Sequence, residues 1–263
     1  MAFDFYKYSA TGNDFIVFDN REGDANSLTK GDRIAFCSRR TGIGADGVLF
    51  LERSEKCDFK MVYFNSDGGE EGMCGNGGRA ITHFAYKVLQ IPFGKNDAYS
   101  IETQNGVYQA SIKGNIVKLQ MTEISGIGEK NIENLFEAKK SLFLKVGVSH
   151  SIFQVQDCDE VPLESISPAI RKETDSNINF FQVVSEGNIK MRTFEKGVEG
   201  ETLSCGTGAT ATALACQKLF GWTDKVQIET KGGLLEILFD EDHSEVFLCG
   251  ETRLIFKGSF ETQ

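Results

Sequence analysis

The sequence predicts an α+β protein of two pseudo-symmetric domains, each a curved, mostly antiparallel sheet around a buried central helix, with the active cleft between them. The first observation behind this is that residues 73–80 and 204–211 share one order: a cysteine, a Gly-x-Gly turn and a run with helix character. Apolar residues in both runs cover most of a helix circumference, so each helix should be largely buried. The second observation is that strand patterns precede each stretch and a meander of strands follows it, which indicates an internal repeat.

Length and composition fit this architecture. The 263 residues suffice for two domains of ordinary size. The repeat predicts them at 1–120 and 121–263, and it leaves open whether the last few residues join the first domain. Hydrophobic residues make up 40% of the chain and charged residues 25%, the balance of a globular protein that can bury a sizeable core.

Charge and cysteine usage exclude several classes of protein. The formal net charge of -10 argues against a nucleic-acid partner. The sequence has no apolar run of about 18 residues and no signal-peptide pattern, so we expect no membrane span and a cytoplasmic protein. Seven cysteines at irregular spacing do not resemble a secreted disulfide framework, and no clustered Cys/His set predicts a metal site.

Hydrophobic periodicity and turn residues predict the secondary structure along the chain. In the first half, strands are predicted at 3–8, 14–20, 48–51, 59–64, 99–104, 107–112 and 115–121, with helices at 28–38 and from the first cysteine to about 90. The polar stretch 123–140 is predicted to be the interdomain region. In the second half, strands are predicted at 142–148, 150–156, 178–185, 188–194, 225–230, 233–239, 244–249 and 252–258, with helices at 163–172 and from the second cysteine to about 220.

The two cysteine stretches carry the chemistry that these residue types offer. Glycines let the chain turn and expose backbone N–H groups, and a helix that begins there holds an anion such as a carboxylate or phosphate. A cysteine at the same end should have a lowered pKa, because the helix dipole favours the thiolate. One such stretch alone is more often a core cysteine beside a turn. Both together indicate two reactive thiols, Cys74 and Cys205, that face one bound anion.

Four motifs spread from one end of the chain to the other are more specific. They are Thr-Gly-Asn-Asp-Phe at 11–15, Phe-Asn-Ser-Asp-Gly at 64–68, Met-Cys-Gly-Asn-Gly at 73–77 and Glu-Thr-Leu-Ser-Cys-Gly-Thr-Gly at 201–208. Together they closely resemble the diaminopimelate epimerase family of pyridoxal-independent amino-acid racemases and epimerases. The resemblance implies a homodimeric isomerase without a cofactor. Its substrate would be a diamino dicarboxylic acid, LL-2,6-diaminopimelate, inverted at one α-carbon to the meso form in lysine and peptidoglycan-precursor biosynthesis.

The same resemblance implies roles for individual residues. One thiolate removes the α-proton and the thiol on the opposite face returns a proton, while two helix N-termini stabilise the developing charge. The implied catalytic residues are Cys74, Cys205, His150 and Glu195. The implied substrate-binding residues are Asn13, Asn65, Gly75, Asn76, Asn177, Glu195, Lys196, Gly206 and Thr207. The alignment leaves open a two-residue slip from Asn177 to Asn179, and an exposed Asn13 could donate to a ligand carboxylate.

Four positions depart from the family's pattern. Gly-Val-Ser-His at 147–150 stands for Gly-Asn-Pro-His, so Val148 replaces an amide. Lys196 replaces an arginine that would clamp a carboxylate with two hydrogen bonds. Gly47 replaces a frequent glutamine, and the loop 197–201 is one residue longer. All four bear on recognition of the distal end of the substrate, and none bears on the two-thiol chemistry.

Three alternatives therefore stay open. A sister racemase with the same cysteine pair would act on glutamate, histidine or proline. A redox protein would use the two cysteines as a reversible disulfide. A non-catalytic anion-binding module would bind its ligand without either thiol.

Overall fold

The computed structural model describes residues 2–121, 124–128, 138–240 and 245–261. The chain divides into two compact units, Met1–Leu119 with Gly250–Gln263, and Gln120–Cys249. The end of the chain thus belongs to the first unit, a placement that the sequence left open. The domain boundaries at 120 and 121 stay a prediction, because a compact unit is not by itself an independently folding domain.

The first unit is a mixed sheet with two helices. Its strands are β1 (Ala2–Ala10), β2 (Asn13–Asp19), β3 (Gly47–Glu52), β4 (Phe59–Asn65), β5 (Glu70–Glu71), β6 (Tyr99–Thr103), β7 (Gly106–Lys113) and β8 (Ile116–Met121), and its helices are α1 (Lys30–Cys37) and α2 (Gly75–Lys87). β1 and β2 are antiparallel, β2 and β3 parallel, and β3 and β4 antiparallel. β4 then pairs antiparallel with β5 and parallel with β6, and β6, β7 and β8 form an antiparallel meander.

α1 begins where the sequence supplies a helix cap. The Thr29 hydroxyl accepts a hydrogen bond from the backbone N–H of Asp32, and the Asp32 carboxylate accepts one from the backbone N–H of Thr29. This capping box sets the helix start two residues later than predicted. Phe36 of α1 packs with Phe18 and Phe50 of the sheet in a buried apolar cluster, so α1 covers the face that these side chains occupy.

α2 is the buried centre of the first unit. All of its residues from Gly75 to Ala85 are buried, as the dense apolar pattern predicts. A Cβ on Gly78 would lie 2.8 Å from the Met73 side chain and 2.9 Å from that of Leu119. The absence of a side chain at this position therefore lets the helix lie close against its surroundings.

The second unit has the same composition of elements. Its strands are β9 (Ile124–Gly128), β10 (Lys140–Val146), β11 (Val148–Gln154), β12 (Asn177–Ser185), β13 (Asn188–Glu195), β14 (Gly200–Thr202), β15 (Lys225–Thr230) and β16 (Gly233–Phe239), and its helices are α3 (Leu163–Thr174) and α4 (Gly206–Phe220). α4 is the equivalent of α2, since its residues from Gly208 to Cys216 are buried. α3 covers the other face of the sheet, where Leu163 and Ile170 pack with Phe180.

The strand pairings of the second unit repeat those of the first in order and in direction. β10 and β11 are antiparallel, β11 and β12 parallel, and β12 and β13 antiparallel. β13 pairs antiparallel with the short β14 and parallel with β15, which forms a hairpin with β16. The α+β class and the internal repeat predicted from the sequence are therefore confirmed, with mostly antiparallel sheets and a buried helix in each unit.

The last strand differs from the prediction. The sequence predicts two strands at 244–249 and 252–258, but β17 (Val246–Glu261) is one continuous strand. Its second part pairs antiparallel with β1, and the backbone N–H of Thr252 donates to the carbonyl of Asn115. A strand of this length serves more than one set of neighbours, which a local sequence pattern does not reveal. The predicted interdomain region 123–140 lies largely outside the described residues; within it, β9 is a strand that the sequence did not predict.

Candidate active site

Cys74 and Cys205 occupy the same local position in their units, since each is the N-cap residue of the central helix. Cys74 Sγ accepts a hydrogen bond from the backbone N–H of Gly77 at 3.4 Å, and Cys205 Sγ accepts one from that of Gly208 at 3.4 Å. Both cysteines have extended backbones, with φ and ψ of -132° and 120° at Cys74 and of -122° and 111° at Cys205. Sulfur thus replaces the usual capping oxygen. A thiolate at either position would receive an N–H hydrogen bond and the positive end of the helix dipole.

The glycine three residues after each cysteine lies in a tightly packed position. A Cβ on Gly208 would lie 2.4 Å from Asn179 Oδ1 and 3.3 Å from Cys205 Sγ. A Cβ on Gly77 would lie 3.2 Å from a methyl group of Leu49. The Cys-Gly-x-Gly pattern therefore serves both the cap and the approach of the helix start to a neighbouring strand.

In the first unit, a chain of hydrogen bonds fixes the side-chain amides beside Cys74. The buried Arg79 guanidinium donates to Asn76 Oδ1 at 2.6 Å. Asn76 Nδ2 donates to Asn13 Oδ1 at 3.3 Å, and Asn13 Nδ2 donates to Asp46 Oδ2 at 2.6 Å. Because a guanidinium only donates and a carboxylate only accepts, the two ends of this chain determine the orientation of both amides.

Asn13 therefore turns its oxygen toward the cysteine loop. Its Oδ1 lies 4.0 Å from Cys74 Sγ, and its Nδ2 donates to Asp46. The sequence suggested that Asn13 could donate to a ligand carboxylate. The observed orientation instead offers an acceptor, which suits an ammonium or N–H donor.

A set of ion pairs holds Asp46, the carboxylate that binds the Asn13 amide. Arg39 binds the Asp46 carboxylate at 2.6 Å and the Asp14 carboxylate at 2.8 Å, and Lys7 binds Asp14 at 2.6 Å. Burial alone would raise the pKa of Asp14, but the hydrogen bonds from Arg39 and Lys7 outweigh burial and hold that pKa at about 2. Asp14 is therefore ionised near pH 7.

The remaining predicted residues of the first unit lie at the end of a strand and at the start of a helix. Asn65 ends β4, and its amide is bonded on both sides: the Tyr63 hydroxyl donates to Oδ1 at 2.6 Å and Nδ2 donates to Glu71 Oε1 at 3.3 Å. Gly75 is the first residue of α2 and is buried. The structure thus links Asn13, Asn76 and Cys74 by direct contacts, while Asn65 has separate partners.

In the second unit, His150 is fully buried on β11. Asn179 Nδ2 donates to His150 Nδ1 at 3.2 Å, and Thr193 donates to Asn179 Oδ1 at 3.0 Å. The proton of the neutral ring is therefore on Nε2, which has no hydrogen-bond partner among the residues that the structure describes. Burial lowers the pKa of His150 to about 3, so the ring is neutral near pH 7. A buried donor of this kind is available to a ligand.

Asn177 and Asn179 have distinct surroundings. The backbone N–H of Lys196 donates to Asn177 Oδ1 at 2.7 Å, whereas Asn179 binds His150. Both asparagines are buried. The structure therefore brings the predicted residues Asn177 and Lys196 together, and it gives Asn179 a separate contact beside the start of α4.

The Lys196 ammonium has a partner of its own. It donates to the Asp175 carboxylate at 2.8 Å, and the Lys196 hydrogen bond, followed by that from Arg171, lowers the pKa of Asp175. Glu195, the last residue of β13, accepts a backbone hydrogen bond from Glu199 through its carbonyl. These contacts order the start of the long loop at 197–201.

Gly206 and Thr207 open α4. Gly206 is buried, and the Thr207 hydroxyl lies 3.5 Å from Cys205 Sγ. Their position in the first turn of the helix gives them backbone N–H groups without helical acceptors, as expected for residues that hold a carboxylate.

Sequence reasoning missed the residues that orient the predicted ones: Arg79, Asp46, Tyr63 and Thr193. Arg79 had a recognisable signal, because an arginine within a helix of buried residues must be paired. The other three had none, since their partners are defined by strand pairing or by distant loops. Asn179 appeared only as an alternative to Asn177.

Three of the other cysteines are buried structural thiols. Burial raises the pKa of Cys37 to about 11 and that of Cys158 to about 12, and it also raises the pKa of Cys216. A thiol with a raised pKa stays protonated and unreactive near pH 7. These cysteines therefore make suitable controls for substitutions at Cys74 and Cys205.

Other features of the described chain lie away from the two cysteine loops. A surface cavity of about 390 Å³ in the first unit is lined by residues 52–54, 58–59 and 89–92 together with Arg21, and includes none of the predicted site residues. Within the described residues, no three His, Cys, Asp or Glu side chains are grouped as metal ligands. No helix in the described part of the chain is long and apolar enough to cross a membrane.

Comparison with solved structures defines the class of fold. A PhzF-family phenazine biosynthesis protein from Bacillus anthracis superimposes with a TM-score of 0.75 at 16% identity, over 100% of both chains. A hydroxyproline epimerase from Agrobacterium vitis, with bound trans-4-OH-L-proline, gives a TM-score of 0.72 at 15% identity, over 98% of this chain and 91% of the other. The chain thus has the two-domain α+β fold that these proteins share.

Sequence comparison narrows the class to one family. The diaminopimelate epimerase family model matches residues 5–127 and 142–255. The diaminopimelate epimerase of Flavobacterium psychrophilum is 40% identical over 263 residues, covering 96% of this chain and 98% of the relative. That of Aquifex aeolicus is 38% identical over 274 residues, covering 97% and 96%. The chain belongs to the diaminopimelate epimerase family, and it is an isomerase.

Proposed function

We propose that this protein inverts one α-carbon of LL-2,6-diaminopimelate to give the meso form, without a cofactor, in lysine and peptidoglycan-precursor biosynthesis. The observation that carries the proposal is the identical N-cap position of Cys74 and Cys205 in a member of this family. Inversion requires one base and one acid on opposite faces of the α-carbon. Two thiols in equivalent settings can exchange these roles, so the reaction runs in both directions.

The proposed first step is removal of the α-proton by one cysteine thiolate. The electron pair of the broken C–H bond moves onto the carbon and its carboxylate, and the other thiol gives its proton to the opposite face. The developing negative charge is stabilised by first-turn N–H groups at Gly75, Asn76 and Gly206. The residues 75–76 and 206–207 would bind the α-carboxylate in this way.

Further residues would place the substrate. Asn13 offers an oxygen beside Cys74 that suits the substrate ammonium. His150 offers an Nε2–H that has no partner among the described residues and, because the ring is neutral, it adds no charge that would compete with the thiolate. We assign His150 and Glu195 to positioning substrate and tuning the thiols, and Asn65, Asn177, Thr207 and Lys196 to substrate binding.

The test is incubation with LL-diaminopimelate in D₂O under reducing conditions. We expect meso product by chiral chromatography, with one deuterium at the inverted α-carbon by mass spectrometry, because the returning proton comes from a thiol that exchanges with solvent. Cys74→Ala and Cys205→Ala should each lower epimerisation by about 10³-fold or more. Cys37→Ala, at a buried thiol, should keep the wild-type rate.

Each contrary result has a distinct meaning. Inactivity with diaminopimelate but deuterium exchange with glutamate, histidine or proline would assign the chain to a sister racemase. Inactivity with every amino acid tested would reject the epimerase function. Wild-type epimerisation by either alanine variant would reject the two-base mechanism and leave the substrate assignment standing.

We further propose that the protein acts in the cytoplasm as a homodimer, as its family resemblance implies. Support for the dimer comes from three consecutive exposed apolar residues of β17: Leu254 is 39% exposed, Ile255 52% and Phe256 47%. The pairing of β1 with β17 shifts register between Lys7 and Tyr8, opposite this segment. A contiguous exposed apolar segment of this kind is typical of a protein interface.

A further inference from the structure

We propose, on the basis of the proposed function, that Tyr63 is a positioning residue for substrate recognition. Its hydroxyl holds the Asn65 amide, and its ring occupies the space that Gly47 leaves by having no side chain. Neither contact involves the thiols. The effect we infer is therefore on substrate binding rather than on proton transfer.

The pairing of β3 with β4 brings these three residues together. Gly47 lies directly opposite Asn65 in the antiparallel ladder. Tyr63 is two residues before Asn65, so both side chains are on the same face of β4, and Tyr63 is the diagonal neighbour of Gly47. Leu49, on the same face of β3, contacts the position of Gly77 in α2. Tyr63 and Asn65 therefore lie on the face that packs against the helix capped by Cys74.

The ring of Tyr63 excludes a side chain at position 47. A Cβ on Gly47 would lie 2.6 Å from Tyr63 Cε2, 3.3 Å from its hydroxyl oxygen and 2.6 Å from the Phe64 carbonyl. Tyr63 is only 9% exposed, and its ring packs edge-on against Phe15 with 6.1 Å between centroids. The ring has little room to move away, so Tyr63 together with the Phe64 carbonyl requires glycine at position 47.

The hydroxyl of Tyr63 then determines which way the Asn65 amide points. Its O–H donates to Asn65 Oδ1 at 2.6 Å, and Asn65 Nδ2 donates to Glu71 on the other side at 3.3 Å. An amide has two N–H donors and two acceptor lone pairs. Asn65 is left with one donor and one acceptor in fixed directions, which suits a group with both ammonium and carboxylate functions. The departure from the family pattern at Gly47 is thus coupled to this tyrosine.

Kinetics of Tyr63→Phe test the role of the hydroxyl. The variant keeps the ring and removes the hydrogen bond, so we expect KM for LL-diaminopimelate to rise about 10-fold with kcat changed less than about 2-fold. In an Asn65→Ala background, Tyr63→Phe should have no further effect on KM, because the hydroxyl acts through Asn65. The control is Tyr99→Phe, which removes a phenol hydrogen bond to the Ile91 carbonyl in the same unit and should leave KM unchanged.

Thermal unfolding gives a readout that does not need activity. Tyr63→Phe should lower Tm in the wild-type background and lower it less in the Asn65→Ala background. Gly47→Ala should lower Tm strongly in the wild-type background and less with Tyr63→Ile present. The Phe64 carbonyl contact is common to both backgrounds, so the difference between the two Tm losses measures the contact with the tyrosine ring.

The outcomes separate this inference from the proposed function. An active wild type with unchanged KM in Tyr63→Phe would overturn the positioning role and leave the epimerase function standing. A wild type without α-proton exchange would reject the proposed function. In that case the Tm values still test the Tyr63–Asn65 contact. An equal loss of Tm on Tyr63→Phe in the wild-type and Asn65→Ala backgrounds would overturn this contact. A smaller loss in the Asn65→Ala background would support it.

Discussion

At the scale of single residues, His150 shows how burial controls protonation. Its pKa is about 3 in the folded protein and about 6.5 in an unfolded chain. Between these values the unfolded state binds more protons than the native state. The contribution of His150 to the free energy of unfolding is therefore complete above about pH 6.5 and is lost as pH falls toward 3. Between these values the free energy of unfolding falls by about 1.4 kcal/mol per pH unit because of this residue.

This pH dependence is testable with His150→Gln. We expect urea unfolding of the wild type between pH 4 and pH 6 to show a steeper loss of stability than the variant, by about 1 kcal/mol per pH unit. Around pH 8 the difference in free energy of unfolding between the wild type and the variant should not depend on pH. Equal slopes between pH 4 and pH 6 would mean that His150 is protonated in the native state.

At this scale the sequence predicts the residues that belong to a motif, but it does not predict the residues that orient them. Asn13 and Asn76 were predicted from motifs, but the orientation of the Asn13 amide depends on Asp46, which is distant in the chain. Tyr63 resembled an ordinary strand residue, because its partner at Gly47 is defined only by the register of β3 and β4. Such contacts arise from tertiary packing, and no local pattern encodes them.

At the scale of secondary-structure elements, helix starts differ in how much room they leave for a side chain. A Cβ on Gly208 would collide with Asn179 Oδ1, an amide that Thr193 and His150 also hold. Gly31, in the first turn of α1, has only an ordinary contact of 3.6 Å at its Cβ position. The two glycines therefore respond differently to the same substitution.

We expect Gly208→Ala to lower the free energy of unfolding by about 1–3 kcal/mol, as overpacking does. Gly31→Ala should raise it by about 0.5–1 kcal/mol, because alanine restricts the unfolded chain and favours a helix. Urea denaturation of both variants measures the difference. Changes of the same sign would show that the start of α4 has room for a side chain.

The elements that the sequence predicted well have strong local signals. The alternating strands and the two buried helices follow from periodicity, and the Gln104-Asn105 loop joins β6 to β7 as its turn residues predict. The sequence does not predict the short strands β5 and β14, because two or three residues are too few to show the alternation of a strand. β17 was divided in two for a different reason: its glycine and glutamate at 250–251 resemble a turn, while pairing on both sides keeps the strand extended.

At the scale of the whole molecule, the exposed segment 254–256 of β17 tests the proposed homodimer. Phe256→Glu places a charge in this apolar segment and should give a monomer by size-exclusion chromatography with light scattering, since burying an unpaired charge is unfavourable. Leu234→Glu, at a 57% exposed apolar residue of the second unit, is the matched control and should remain dimeric. A monomeric wild type, or a dimeric Phe256→Glu variant, would contradict the proposal.

The path of the chain also sets an order for folding during synthesis. The second unit is one continuous segment, Gln120–Cys249, whereas the first needs residues from Gly250 onward to pair with β1. The ribosome therefore releases every residue of the second unit before the first can complete its sheet. Until then β1 has an open hydrogen-bonding edge, the kind of edge that promotes aggregation and that chaperones protect. The half of the protein made first is the half that finishes folding last.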